Sequence, residues 1–215
     1  MRYRRAIELG VDYVEFDLRR SADQVNVIYH DDFTASGRSI RDFAYRDLVA
    51  ELGPEALTFD ELLDMAAGHV GLHLDLKEAG YEAEIVHLAL ARCRPDQLVI
   101  TGADAPIRAI KQQFPRLRAG LSLGDDVTHL APWLKARERL SELFPGRRLA
   151  RCGADFVAVH HQLARLTVLR YCARRHMPAW VWTVDEEPAI AQFLADPRVT
   201  TLITNRPDIA LRLRR

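Results

Sequence analysis

The stretch Val11–Asp32, VDYVEFDLRRSADQVNVIYHDD, sets the expectation for the whole fold. Two strand-like runs, Tyr13–Asp17 and Val25–Tyr29, lie on either side of a short polar turn at Asp23-Gln24. A connection this short cannot hold a crossover, so the second run must return antiparallel to the first. The stretch therefore predicts a strand followed by an antiparallel arm.

The same hairpin brings chemically active side chains together. Glu15 and Asp17 are two residues apart, so both carboxylates point to one face of the strand. A symmetric fold-back about the turn places His30 opposite Asp17. Carboxylates are ligands for hard cations, and an imidazole can transfer a proton, which together favour metal-assisted hydrolysis. The alternative is a surface hairpin whose charges are solvated.

The remainder of the chain alternates strand-like and helix-like segments. The strand-like segments are Val70–Leu76, Gln97–Thr101, Arg118–Leu123, Phe156–Val159, Ala179–Thr183 and Thr201–Thr204. This alternation predicts right-handed βαβ units and a parallel sheet, hence an α/β fold. Together with Tyr13–Asp17 it gives seven parallel strands, whereas a closed (β/α) barrel has eight. We therefore expect one domain over residues 1–215, a TIM-type barrel without its first strand. A doubly wound open sheet is less favoured, since its Gly-rich phosphate turn is absent.

Composition excludes several classes of protein. Lysine plus arginine equals aspartate plus glutamate at 30 each, which argues against a general binder of nucleic acid or membrane surfaces. There is no apolar run long enough for a membrane span. Cys93, Cys152 and Cys172 are odd in number and lack CxxC spacing, which is typical of reduced thiols in a cytoplasmic protein.

A second polar pattern occurs in the motif LHLDLKE. His73, Asp75 and Lys77 alternate on one face of a buried strand, which is unfavourable unless they pair or bind something. If Asp75 joins Glu15 and Asp17, three acids cluster at the active end of a barrel and need a cation. Oxygen ligands alone indicate Mg²⁺ or Ca²⁺. Lys77 is predicted either to contact a phosphate oxygen or to form an internal ion pair with aspartate.

Further candidates lie downstream at strand ends. His160 and His161 follow the strand Phe156–Val159, where they would contact substrate or have only a loop role. Trp180 and Trp182 alternate with apolar residues on one face of a strand. One of them is expected to stack at the mouth of a pocket or to pack in the core.

With these residues in place, the chain resembles the glycerophosphodiester phosphodiesterases, metal-dependent hydrolases built on a TIM barrel. The similarity runs from end to end and depends on five motifs in order. They are the ExD pair Glu15 and Asp17, the hairpin end His30-Asp31, the I-E-I-K-like Leu74–Lys77, the W-T-V-N-like Trp182–Asp185, and the T-D-x-P-like Thr204–Pro207.

The resemblance implies hydrolysis of a glycerophosphodiester, a phospholipid-derived substrate, to glycerol 3-phosphate and an alcohol. It implies one Mg²⁺ or Ca²⁺ ion held by Glu15, Asp17 and Asp75. His30 would be one of two acid/base histidines. Lys77 would bind phosphate, and Trp182 would line the glycerol pocket.

The chain departs from the family at its start. The family opens with a His-Arg-Gly strand and a Pro-Glu-Asn-Thr loop, and neither motif follows Met1. Their absence removes the other catalytic histidine, a phosphate-binding arginine and a glutamate of the metal site. The alternative is therefore a truncated, non-catalytic barrel that binds phosphate esters or a partner. A relative acting on sphingolipids shares the metal site but usually needs a disulfide-permissive setting. The open barrel also predicts unpaired edge strands and hence self-association, such as a homo-oligomer.

Overall fold

The computed structural model describes residues 2–53, 56–125 and 131–214. The chain divides into two compact units, Met1–Gly102 and Ala103–Arg215. Each unit is an α/β structure in its own right. The single domain expected over residues 1–215 stays a prediction.

The first unit contains four sheet strands among its described residues, in the order β2-β1-β3-β4. Its strands are β1 (Tyr13–Arg20), β2 (Asn26–Ile28), β3 (Gly71–Leu76) and β4 (Leu98–Gly102). Its α-helices are α1 (Arg2–Leu9), α2 (Tyr45–Leu52), α3 (Phe59–Ala66) and α4 (Glu82–Leu90). β1, β3 and β4 are parallel, and only β2 runs antiparallel to its neighbour. The predicted strands and the antiparallel arm are therefore confirmed.

The second unit contains four parallel strands in its described part, in the order β5-β6-β7-β8. They are β5 (Arg118–Leu123), β6 (Phe156–His160), β7 (Ala179–Trp182) and β8 (Thr201–Leu202). Its α-helices are α5 (Asp104–Gln113), α6 (Pro132–Leu143), α7 (Gly146–Cys152), α8 (His161–Leu163), α9 (Leu169–Arg174), α10 (Glu187–Leu194) and α11 (Pro207–Arg214). A π-helical turn, Ala164–Val168, joins α8 to α9. The helices connect successive parallel strands, which is the predicted βαβ pattern.

Alternation along β1 separates the core from the polar face. Val14, Phe16 and Leu18 are buried, and the ring of Phe16 packs 6.0 Å from that of Phe59 on α3. α3 begins at a capping box formed by Thr58 and Glu61. Thr58 Oγ1 accepts a hydrogen bond from the Glu61 amide, and the Glu61 carboxylate accepts one from the Thr58 amide.

The hairpin between β1 and β2 differs by one residue from its predicted register. Ser21 N donates to Val25 O at 3.0 Å, which leaves three residues in the loop rather than two. The last loop residue, Gln24, has a φ of 67°, in the left-handed region that closes three-residue hairpin loops. Consequently Tyr29, not His30, pairs with Asp17, through Tyr29 N to Asp17 O at 3.1 Å. The predicted pairing of His30 with Asp17 is wrong.

The cysteines and the lengths of the helices bear on the kind of environment the chain occupies. Cys93, Cys152 and Cys172 are buried, and none of them is in a disulfide bond. Within the described ranges, no helix is long and apolar enough to cross a membrane.

The left-handed turn residue gives a stability prediction. A non-glycine residue in this conformation costs roughly 1–2 kcal/mol, and glycine does not bear this cost. Gln24→Gly should therefore raise the free energy of unfolding by about 1 kcal/mol in urea denaturation. Ala22→Gly, in the same loop but at negative φ, is the matched control. It should lower stability by about 0.4–1 kcal/mol, because glycine there only adds freedom to the unfolded chain. Equal effects of the two substitutions would contradict the explanation.

Candidate active site

The parallel register of β1, β3 and β4 assembles a polar cluster. Glu15 lies beside His73, and Asp17 lies beside Asp75. On the other side of β3, Asp75 lies beside Thr101. Glu15 and Asp17 are two residues apart on β1, and so are their neighbours His73 and Asp75 on β3. These side chains and that of Thr101 therefore lie on one face of the sheet. The cluster stands towards the carboxyl ends of the strands, where α/β barrels bind their ligands.

Lys77 joins the two aspartates. Its Nζ lies 2.9 Å from Asp17 Oδ1 and 2.5 Å from Asp75 Oδ2. All three side chains are largely buried. Burial acts to lower the pKa of Lys77, but Asp75 and Asp17 outweigh it, and the pKa is raised. Of the two alternatives for Lys77, the internal ion pair is therefore present.

A hydrogen-bonded chain extends from Asp75 into the core. Thr101 Oγ1 donates to Asp75 Oδ1 at 2.6 Å, and His73 Nε2 lies 2.8 Å from the same hydroxyl. Since the hydroxyl proton goes to the carboxylate, the hydroxyl oxygen must accept from His73 Nε2–H. Burial lowers the pKa of His73 to about 4, so its ring is neutral at pH 7. Burial acts to raise the pKa of Asp75, but Lys77 and the Thr101 bond outweigh it, and the pKa is lowered.

Thr101 is a member of this cluster that sequence reasoning missed. It ends the apolar run of β4 and lacks a charge to mark it. Its position is the one feature that could have indicated its role, because it lies at the carboxyl end of the strand that follows LHLDLKE in the sequence.

The predicted metal ligands supply oxygens, as a hard cation requires, but the carboxylates of Asp17 and Asp75 already share the Lys77 ammonium. Among the described residues, no three or more His, Cys, Asp or Glu side chains are grouped so as to hold a metal ion. The donor chemistry therefore fits a divalent ion, whereas the arrangement would fit one only after Lys77 moves away from the carboxylates.

His30 follows β2 at the surface. Its side chain is 73% exposed, and Nδ1 lies 2.7 Å from Asp31 Oδ1. Its main chain is fixed by Arg19, whose Nε and Nη2 donate to His30 O at 3.2 and 2.7 Å. Arg19 also pairs with Asp32 at 2.5 Å. Sequence reasoning missed Arg19, although it continues the alternate positions of Glu15 and Asp17.

In the second unit, an aromatic group forms at the ends of β6 and β7. The rings of His160 and His161 are 4.2 Å apart, and Trp182 meets His160 edge-on at 5.2 Å. Burial and then His161 lower the pKa of His160. His161 Nδ1 donates to Thr183 O at 2.9 Å. Trp182 is half-buried here, whereas Trp180 is a core residue whose ring packs, tilted, with its centroid 4.7 Å from that of Phe156.

The last two motifs of the chain bind each other. Asp185 accepts from Thr204 Oγ1 at 3.1 Å, from Asn205 N at 2.8 Å and from Asn205 Nδ2 at 3.0 Å. Burial acts to raise the pKa of Asp185, but the Asn205 bonds outweigh it, and the pKa is lowered. These bonds tie the loop after β7 to the loop after β8. Asn205 therefore has a structural role here.

Parallel strands whose carboxyl ends carry paired acids and a lysine define an α/β enzyme of the barrel class. Residues 1–209 match the model of the glycerophosphoryl diester phosphodiesterase family, and the chain belongs to that family. A curated relative, Probable glycerophosphodiester phosphodiesterase 2 of Mycobacterium tuberculosis, is 28% identical over 224 residues. That alignment covers 96% of this chain and 81% of the relative.

Solved structures share the fold. A glycerophosphodiester phosphodiesterase from Thermotoga maritima superposes with a TM-score of 0.72 at 18% identity, covering 99% of this chain and 89% of that one. An Oleispira antarctica phosphodiesterase, solved with the product sn-glycerol-3-phosphate, gives 0.73 at 16% identity, covering 98% and 87%. The TIM-barrel-type α/β fold expected from the sequence is therefore confirmed.

The neutral state of His73 predicts how stability depends on pH. Its pKa falls from 6.5 to about 4 on folding, so between these values the unfolded chain binds a proton that the folded chain does not. Above pH 6.5, His73 makes its full contribution to the free energy of unfolding. As the pH falls towards 4, that free energy decreases by about 3 kcal/mol.

His73→Gln keeps an N–H donor for Thr101 but does not titrate, so its unfolding free energy should fall less between pH 7 and 4.5. Urea denaturation at both pH values measures the difference. His69→Gln, which replaces an exposed imidazole, should retain the wild-type slope. A wild-type slope in His73→Gln would refute the assignment.

Proposed function

We propose that this chain hydrolyses glycerophosphodiesters to glycerol 3-phosphate and an alcohol. The observation that carries the proposal is the Asp17–Lys77–Asp75 ion-paired cluster at the carboxyl ends of parallel strands. The family supports phosphodiester chemistry. The product complex of the Oleispira relative supports glycerol 3-phosphate as the product here as well.

Lys77 is the group we assign to the phosphate. Its ammonium is largely buried but retains some exposure, and it stands at the end of β3. In a site of this kind, a fixed cation stabilises charge that develops on the phosphoryl oxygens. A phosphate oxygen would draw Lys77 away from Asp17 and Asp75, which then need another cation.

Glu15, Asp17 and Asp75 would hold that cation, Mg²⁺ or Ca²⁺, since the family is generally dependent on a divalent metal. When bound, the ion supplies positive charge that polarises the phosphate. Thr101 keeps Asp75 oriented through its 2.6 Å bond. His73 orients Thr101 in turn.

His30 is the proposed acid/base. Asp31 accepts from its Nδ1, so Nε2 is left to exchange a proton with the substrate or with water. Trp182 is proposed to contact the glycerol moiety, because it is half-buried at the end of β7 and keeps part of its ring exposed. The substrate is a phospholipid-derived small molecule, which would place the enzyme in lipid metabolism.

The test is release of glycerol 3-phosphate from glycerophosphocholine by the 215-residue chain with Mg²⁺, Ca²⁺ or chelator. Release should require a divalent ion. Asp17→Asn should lower kcat/KM by about 100-fold or more, because it removes a charge from the cluster. His30→Ala should lower kcat by about 100-fold.

Asp64→Asn is the matched control, since Asp64 is an exposed carboxylate on α3. It should keep the wild-type rate, and circular dichroism should show all variants folded. A folded chain without release under any condition would favour the non-catalytic barrel. Release that survives both Asp17→Asn and His30→Ala would reject the assigned cluster.

A further inference from the structure

Helix α6 exposes large apolar side chains along one face. Trp133 and Leu140 are seven residues apart, so they share one side of the helix. Phe144 follows directly as the C-terminal cap residue. These three side chains are 66%, 59% and 64% exposed. Leu166, 61% exposed, lies on the adjoining segment, which is fixed to α6 by Thr167 Oγ1 donating to Leu143 O at 2.6 Å. We call these four residues the apolar face.

The apolar face belongs to the end of the unit where the strands terminate. Glu142 Oε1 accepts from Gly124 N at 2.7 Å, and Arg139 Nη2 donates to Asp125 O at 2.9 Å. Gly124 and Asp125 follow β5 directly. Gly124 also lies against His160 at the end of β6, because a Cβ on this glycine would lie 2.4 Å from that of His160. The helix that carries the apolar face is thus anchored at the carboxyl ends of β5 and β6.

The charges of residues 131–170, the segment that carries the apolar face, are unbalanced, although the whole chain is neutral. The three acids in residues 131–170 are already paired: Glu138 with Arg148 at 2.8 Å, Glu142 with Arg139 at 2.6 Å, and Asp155 with Lys111 at 2.8 Å. In the same segment, five arginines are exposed: Arg137, Arg147, Arg151, Arg165 and Arg170. This segment therefore exposes apolar side chains together with positive charge that its own acids do not compensate.

This combination favours an anionic lipid surface over a second copy of the chain. Helices that lie in a membrane interface typically combine exposed Trp, Phe and Leu side chains with basic residues. Anionic headgroups attract such arginines. A symmetric dimer through this face would instead bring Arg137 and its neighbours against the same charges of the partner.

We propose that the apolar face binds the surface of an anionic phospholipid bilayer, with the exposed arginines contacting the headgroups. Trp133, Leu140, Phe144 and Leu166 then lie among the upper acyl-chain carbons. The carboxyl ends of β5 and β6 come close to the bilayer. This interaction is independent of the proposed hydrolysis and requires no turnover.

The test is cosedimentation of the full chain with vesicles of phosphatidylcholine alone or containing 30% phosphatidylglycerol, at 50 and 300 mM NaCl. We expect at least tenfold stronger binding to the anionic vesicles, and weaker binding at high salt. Trp133→Ser/Phe144→Ser should weaken binding at least tenfold, and Arg137→Glu at least threefold. Both variants change exposed side chains, and thermal unfolding checks their fold.

Phe33→Ser is the matched control, since Phe33 is an exposed aromatic residue in the first unit. It should bind like the wild type. The proposal is overturned if the chain binds neither vesicle, or if Phe33→Ser and Trp133→Ser/Phe144→Ser bind equally. It is also overturned if sedimentation without lipid reveals a dimer that Trp133→Ser abolishes, because a second copy then covers the apolar face.

Discussion

The Lys77 ammonium between Asp17 and Asp75 is the constraint on which the first unit depends. The parallel register forces the two carboxylates side by side, and burial makes two adjacent negative charges unfavourable. Removing one partner of a buried ion pair costs about 3–5 kcal/mol, because the other charge is left without compensation. This cluster therefore ties the polar face of β1 to that of β3, while leucines on the opposite face of β3 fill the core.

Period-two alternation explains why the strands and the charged cluster are predictable from sequence. On β1 and β3, apolar and polar residues alternate, so the face of each side chain follows from the pattern alone. Burial does not follow from it, because His73 and Asp75 on the polar face of β3 are buried as well. The hairpin register depends instead on how many residues the loop holds. Gln24 adopts a left-handed φ that its residue type does not favour, so the sequence misplaces His30 by one residue. Thr101 escapes prediction because its role depends on the neighbouring strand.

Net charge is a property of the whole chain, but binding depends on local charge. The zero net charge argues against a general binder of nucleic acid or membrane surfaces. It does not exclude a basic, apolar face, because acids such as Glu138 and Glu142 are used in ion pairs within the second unit. Only the structure separates paired charges from exposed ones. The exposed arginines of residues 131–170 therefore cannot be inferred from the composition of the chain.

If a divalent ion binds at Asp17 and Asp75 as proposed, the same two carboxylates serve one cation in folding and another in catalysis. Since Lys77 already compensates Asp17 and Asp75, the first unit can fold around these acids with a counterion supplied by its own chain. A divalent ion at this place has to compete with that ammonium, so its binding is coupled to movement of the Lys77 side chain. A phosphate oxygen that attracts Lys77 removes the competitor. Substrate and metal would then bind cooperatively, each making the site more favourable for the other.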